Sequence, residues 1–223
     1  MERRTRQWAR GCCALLLSAA LLAAPAAASY AFLDTEGHWA EADIAALAER
    51  DILQGADGRF RPEDPITRGE MAVVMQRLLG LEEEAEDIFK DLDDGFYRHA
   101  VLCCFQVGVM KGDHKIDDEK KAFRPRDPIS REEAALTLAR AFAVEEDAPA
   151  AAYTDADGIA LWAVGAVGGM TRIGAIAGRD DGSFDPKTTV TRAEVAHMIA
   201  ALEALPAPAP EDPEVPIEDE LLP

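Results

Sequence analysis

The chain has 223 residues and a formal net charge of −19, with 42 Asp and Glu against 23 Lys and Arg. That acidic balance excludes a binder of nucleic-acid phosphates, which needs a basic footprint. Hydrophobic residues make up 48% of the sequence, enough for a packed core in one or two small domains.

The first segment reads as a targeting signal. Arg3, Arg4, Arg6 and Arg10 are followed by an apolar run from Cys12 to Ala23, and Ala26-x-Ala28 has the small-residue pattern of a signal-peptidase site. The run is about a dozen residues, short of the roughly 20 that cross a bilayer. Residues 1–28 are therefore expected to be cleaved, and nothing after them is long and apolar enough to span a membrane. Cleavage removes those four arginines and Glu2, so the remaining chain is more acidic still. It also removes Cys12 and Cys13. Cys103 and Cys104 remain as sequence neighbours, a spacing that strains a disulfide and closes no loop. They read as small apolar helix residues.

From residue 29 the chain repeats with a period of about 60, which marks a repeat architecture with units at 29–81, 82–145 and 146–205. Each opens on an aromatic-x-Asp: Phe32-Leu33-Asp34, Phe89-Lys90-Asp91, Tyr153-Thr154-Asp155. An aromatic then starts a first helix: Trp39, Phe96, Trp162. In the first unit Ala40, Ile44, Leu47 and Ala48 recur at helical spacing. The stretch ends at Gly55, Gly112 or Gly178, glycines expected to supply backbone freedom. In the third unit Gly165, Gly168, Gly169 and Gly174 each cost up to about 1 kcal/mol relative to alanine, so its first helix is expected to be the least stable. The middle unit inserts a charged loop at 114–121.

Phe-x-Pro follows in every unit, at Phe60, Phe123 and Phe184, and then a second helix. Its start is the clearest local signal in the chain. Thr67-x-x-Glu70, Ser130-x-x-Glu133 and Thr191-x-x-Glu194 are capping boxes, in which the hydroxyl accepts from a first-turn amide and the glutamate accepts from the cap's own amide. Met71, Val74, Met75 and Leu78 form one apolar stripe, and Val195, Met198, Ile199 and Leu202 another; the middle helix is thinner, with Ala134, Leu138, Ala141 and Phe142. One repeat cannot build a core, and packing three second helices together would. The expected class is all-α: three helix-loop-helix repeats. Beyond Leu205, six prolines among acidic residues read residues 206–223 as an extended, solvated tail.

Capping does not account for Arg68, Arg131 and Arg192. Each stands at the first helical position, where the macrodipole disfavours a cation by about 0.3–1 kcal/mol. One reading is an ion pair with Asp34, Asp91 or Asp155. The other is a ligand anion, held by the guanidinium fork and free helix-start amides. An acid could orient the arginine until the ligand arrives.

The order Phe-x-Asp, Trp-Ala, Ile, Gly, Asp-Gly-x-Phe-x-Pro, Ile-Thr-Arg-x-Glu resembles the S-layer homology domain, over residues 32–205. The resemblance implies a pseudo-threefold, three-pronged arrangement around a central helical bundle. It implies non-covalent anchoring to the bacterial cell wall through secondary cell-wall polysaccharide, whose sugar carries a ketal-linked pyruvate. Position by position, Arg68, Arg131 and Arg192 match the arginine that meets the anionic sugar. Asp34, Asp91 and Asp155 match the acid that orients it. Trp39, Phe96 and Trp162 match the aromatic near the groove, for which core packing is the other reading. Asp51 departs from the pattern, which has glycine there as at Gly108 and Gly174. The third opening is two residues longer, so Asp155 need not sit like Asp34. The first groove is the most complete by motif. A chain this acidic repels an anionic polymer at long range, so binding must be short-range and bidentate.

Two other classes fit the sequence less well. A calcium module finds Asp155-Ala-Asp157-Gly158 and Asp180-Asp181-Gly182, which lack the ligand spacing and closing glutamate of an EF-hand and read as turns. An enzyme finds no nucleophile elbow, zinc motif or Cys-His constellation. The expectation is a non-enzyme without cofactor or metal, secreted to the cell surface, with secondary cell-wall polysaccharide or peptidoglycan as partner.

Overall fold

The computed structural model describes residues 32–113, 121–146 and 153–205. The expected signal 1–28, the tail 206–223 and residues 114–120 of the insertion lie outside them. Six α-helices are present among the described residues: α1 (Glu41–Glu49), α2 (Arg68–Leu79), α3 (Arg98–Gln106), α4 (Arg131–Ala141), α5 (Val164–Arg172) and α6 (Arg192–Glu203), with a 3-10 turn at Ala156–Gly158. None is long and apolar enough to cross a membrane.

The helices pair across the sequence repeats. α2 packs on α3, α4 on α5, and α6 on α1. Each prong therefore joins the second helix of one repeat to the first helix of the next, and the last repeat closes onto the first. The second helices were expected to pack on one another along a common core; instead they converge at their starts. Ile66 N–H donates to Val190 O (3.1 Å), Ile129 N–H to Ile66 O (3.0 Å) and Val190 N–H to Ile129 O (3.2 Å), a closed ring of three backbone bonds. All three side chains are fully buried there. Because each residue of the ring serves both neighbours, no repeat completes it alone.

The three capping boxes form as read, with both the hydroxyl and the glutamate bonds present at Thr67, Ser130 and Thr191. The helix-start amides are nevertheless not free. Arg68 N–H donates to Asp127 O, Gly69 N–H to Pro125 O, Arg131 N–H to Thr188 O, Glu132 N–H to Pro186 O, Arg192 N–H to Asp64 O and Ala193 N–H to Pro62 O. The Phe-x-Pro turn of one repeat thus caps the helix of the repeat before it.

The turn glycines serve a different purpose from the one expected. A Cβ on Gly55 would lie 2.2 Å from Arg59 O and 2.6 Å from the Phe32 ring, and Gly112 and Gly178 face Phe89 and Tyr153 in the same way. Space for the opening aromatic, not an unusual φ, demands glycine. A Cβ on Gly165 would likewise lie 1.4 Å from Glu146 O, because the chain leaving α4 crosses directly over α5. Asp51 adopts φ 58° where Gly108 and Gly174 stand at 80° and 76°, so the aspartate takes the left-handed position itself.

Cys103 and Cys104 are free and buried. Burial pushes the Cys104 thiol up to about 12. The fold does bring a Cys-His pair together, contrary to expectation: Cys103 Sγ lies 3.6 Å from His99 Nε2, and His99 Nδ1 lies 2.6 Å from Glu84 Oε1. Burial raises the Cys103 pKa as well, so the sulfur stays a thiol and not the nucleophilic thiolate.

Candidate functional site

The three arginines are buried, only 4%, 6% and 7% exposed at Arg68, Arg131 and Arg192. Each reaches into the following repeat. Arg68 donates from Nε to Phe123 O (2.8 Å) and from Nη2 to Lys111 O (3.1 Å). Arg131 donates from Nη2 to Ala177 O (2.8 Å). Arg192 donates from Nε to Phe60 O (2.9 Å) and from Nη2 to Gln54 O (2.7 Å). Each guanidinium also lies over the phenylalanine of the Phe-x-Pro turn it grips, at 5.0 Å from Phe123, 5.2 Å from Phe184 and 4.5 Å from Phe60. Charged hydrogen bonds and cation–π contact act here away from water, where both are strongest. The arginine is first of all the staple between repeats.

Asp34, Asp91 and Asp155 do not pair with it. Asp34 accepts from the N–H groups of Phe60 and Arg61, both at 2.8 Å. Asp91 accepts from Phe123 and Arg124 at 2.8 Å each, and Asp155 from Phe184 (2.7 Å) and Asp185 (2.9 Å). The longer third opening leaves this geometry intact. Arg61, Arg124 and Asp185 precede proline yet hold φ near 60°, a conformation that side chains resist. Two amides fixed on one carboxylate hold that turn, and the turn presents the phenylalanine carbonyl to the arginine.

What meets Arg68 and Arg131 is the capping glutamate of the next repeat. Glu133 Oε2 caps Ser130 while Oε1 accepts from Arg68 Nη1 at 3.0 Å. Glu194 does the same for Thr191 and for Arg131 Nη1, at 3.4 Å. Each of these glutamates takes a second arginine: Arg124 on Glu133, and Arg179 on Glu194 at 2.8 Å. Arg124 and Arg179 were missed in the sequence because they occupy different places, one inside Phe-x-Pro and one after the turn glycine. Arg131 Nε is buried without a hydrogen-bond partner among the described residues.

Burial pulls all three staple arginines below the ordinary value. Burial also pushes Glu133 up, but Arg68, the Ser130 amide and Arg124 outweigh it and hold the carboxyl low. Asp155 is held low chiefly by the Phe184 amide. At Asp34 the amides of Phe60 and Arg61 outweigh desolvation. Folded values below unfolded ones give stability that is complete above the ordinary carboxylate pKa of about 4 and is lost as pH falls through the folded values. Thermal melts are expected to show the midpoint dropping steeply below about pH 4, with a shallower drop in Glu133→Gln; a midpoint flat across that window would contradict this assignment.

The aromatics expected near the groove are not core residues. Trp39 is 59% exposed, Phe96 74% and Trp162 52%, each just ahead of a first helix. The residue after each is the buried one: Ala40, Tyr97, Ala163. Trp39 lies edge-on to His197 of α6 at 5.4 Å, and His197 meets Asp43 at 2.8 Å. No contact joins these rings to the staple arginines among the described residues.

Three seams between helical repeats, each with a buried arginine and an exposed aromatic, define a cyclic helix-repeat module. The S-layer homology domain model matches residues 31–72 and 152–196, so the chain carries S-layer homology repeats at those two segments. The matched segments are the first and third repeats; the middle repeat has the same geometry. The chain is 33% identical to the exoglucanase XynX of Acetivibrio thermocellus over 78% of its own length and 16% of the relative. It is 31% identical to an S-layer protein of Bacillus licheniformis over 78% of its length and 20% of the relative. Against S-layer protein EA1 of Bacillus anthracis the identity is 29%, over 82% and 21%. The chain thus spans about a fifth or less of these relatives.

Proposed function

We propose that this chain is a non-catalytic anchoring module of the bacterial cell envelope, binding secondary cell-wall polysaccharide at the seams between its repeats. The observation that carries this reading is the exposure of Trp39, Phe96 and Trp162 at equivalent places on three prongs. An exposed ring recurs at the same place on each prong, and a flat ring suits the apolar face of a sugar. Arg68, Arg131 and Arg192 are the proposed cations for the sugar's pyruvate carboxylate. Asp34, Asp91 and Asp155 support them through the turn rather than by direct pairing. That S-layer proteins and polysaccharide-degrading enzymes share this segment supports an anchoring role common to both, with catalysis elsewhere in the enzymes.

The test is sedimentation with purified cell walls. The triple variant W39A/F96A/W162A is expected to lose most wall retention with little change in melting temperature, because the rings are exposed. Retention at the wild-type level would overturn the sugar-platform reading. Walls stripped of the secondary polymer separate the ligands: loss of binding assigns the polymer, and undiminished binding assigns peptidoglycan.

A further inference from the structure

The three exposed aromatics are held in three different ways. Trp39 lies against two rings, His38 and His197, each at 5.4 Å. Phe96 lies edge-on to Tyr97 at 5.2 Å, and the Tyr97 hydroxyl is itself fixed on Asp93. Trp162 is 52% exposed and has no ring partner among the described residues, and Leu161 before it is 95% exposed. The orientation of Trp162 therefore rests on the backbone of residues 159–163. Ile159 and Ala163 are buried at the two ends of that strap. Ala160 O accepts from the N–H groups of Ala163 (2.8 Å) and Val164 (3.2 Å), which starts α5. The Ala160 amide points the other way in the chain of contacts and donates to Glu132 Oε2 at 2.9 Å.

Glu132 stands at the second position of α4, where the macrodipole favours an acid. That accounts for an exposed glutamate, but this one is 3% exposed. A buried carboxylate is costly unless its oxygens are bonded. Lys187 takes Oε1 and the Ala160 amide takes Oε2, and both partners belong to the third repeat while Glu132 belongs to the second. The equivalent places of α2 and α6 hold Gly69 and Ala193, which have no side chain to reach across. In the first repeat the corresponding amide, that of Gly37 two residues before Trp39, donates to Glu41 of its own repeat at 2.9 Å on the exposed surface. The strap before Trp162 is thus set by the preceding repeat, whereas the one before Trp39 is set locally.

We infer that Glu132 is a positioning residue for the third aromatic platform: by holding the Ala160 amide it fixes the strap that presents Leu161 and Trp162 to the cell-wall sugar. Buried as it is, it acts through the strap and not on the ligand. Lys187 keeps the carboxylate charged and in place. This inference rests on the anchoring reading, to which it adds Glu132 as the support of one platform and Leu161 as a second apolar contact beside Trp162.

The full chain is to be studied with Trp8→Phe and Trp39→Phe, which leave Trp162 as its sole tryptophan. Fluorescence anisotropy and acrylamide quenching then report on that ring alone. Glu132→Ala removes the acceptor. Glu132→Asp keeps the charge but falls one methylene short of Ala160, and Glu132→Gln keeps a side-chain oxygen at the original reach. Glu132→Ala and Glu132→Asp are expected to lower the anisotropy and raise the quenching, and Glu132→Gln to leave both near wild type. If Glu132→Ala does not fold, Glu132→Asp and Glu132→Gln carry the comparison. Sedimentation with purified cell walls reads the binding. In Trp39→Ala with Phe96→Ala, where Trp162 is the platform left, Glu132→Asp is expected to weaken retention about tenfold, the loss that follows when one charge-assisted hydrogen bond goes. In Trp162→Ala it is expected to change nothing, a result that a general loss of stability does not give. Unchanged fluorescence or retention in Glu132→Asp, a Glu132→Gln as loose as Glu132→Asp, or retention lost equally in Trp162→Ala overturns the inference and leaves the anchoring reading standing. A wild type that fails to sediment with walls overturns the anchoring reading itself.

Discussion

Arg68→Ala is expected to destabilise the protein by about 3–5 kcal/mol, the usual cost of removing one member of a buried ion pair. The side chain is 4% exposed and holds the Phe123 and Lys111 carbonyls together with Glu133. Its removal leaves Glu133 with Arg124 alone and two carbonyls facing a cavity. A loss of that size is a large share of the 5–15 kcal/mol that stabilises a typical domain. Urea titration followed by circular dichroism measures it, and a cost below about 1 kcal/mol would show that the staple is dispensable. The result bears on function too: lost wall retention in an arginine-to-alanine variant cannot be assigned to the ligand unless the fold is shown intact. The substitutions of the exposed aromatics avoid that confusion.

Phe60→Ala is expected to cost a similar 3–5 kcal/mol, as for other fully buried aromatic truncations. Phe60 is 0% exposed, packs 5.4 Å from the Phe32 ring and carries the Arg192 guanidinium 4.5 Å from its own ring centre. It joins the opening aromatic of the first repeat to the arginine of the last, so its loss loosens the closing seam. The double variant Phe60→Ala with Arg192→Ala should cost less than the sum of the singles, because each removes the same contact. Strict additivity in a urea-denaturation cycle would show that ring and guanidinium act independently.

The elements that local chemistry determines were legible in the sequence. A capping box closes within three residues, and an apolar stripe is set by its own helix, so both are written where they act. The repeats were legible because they are written three times. The exposure of Trp39, Phe96 and Trp162 was not, since an aromatic before a helix suits the core or the surface equally. The partner of each arginine was also hidden. Asp34 was the natural candidate by charge, but its carboxylate is taken by two amides of a turn whose left-handed residue the sequence does not announce.

By itself, then, the sequence determined the helices, their starts, the three repeats and the acidic surface charge, because each depends on neighbours a few residues away or on composition alone. Only the tertiary structure decided how the repeats close. Arg192 bonds carbonyls 132 and 138 residues back along the chain. Arg50 and Glu203, 153 residues apart, tie the first helix to the last. Three nearly identical phrases end in two electrostatic states, Arg68 and Arg131 on a glutamate and Arg192 on carbonyls alone among the described residues, because each arginine's partner is supplied by another repeat. A residue's charge is set by its type, but its compensation is set by distance in space, and that is fixed only when the ring closes.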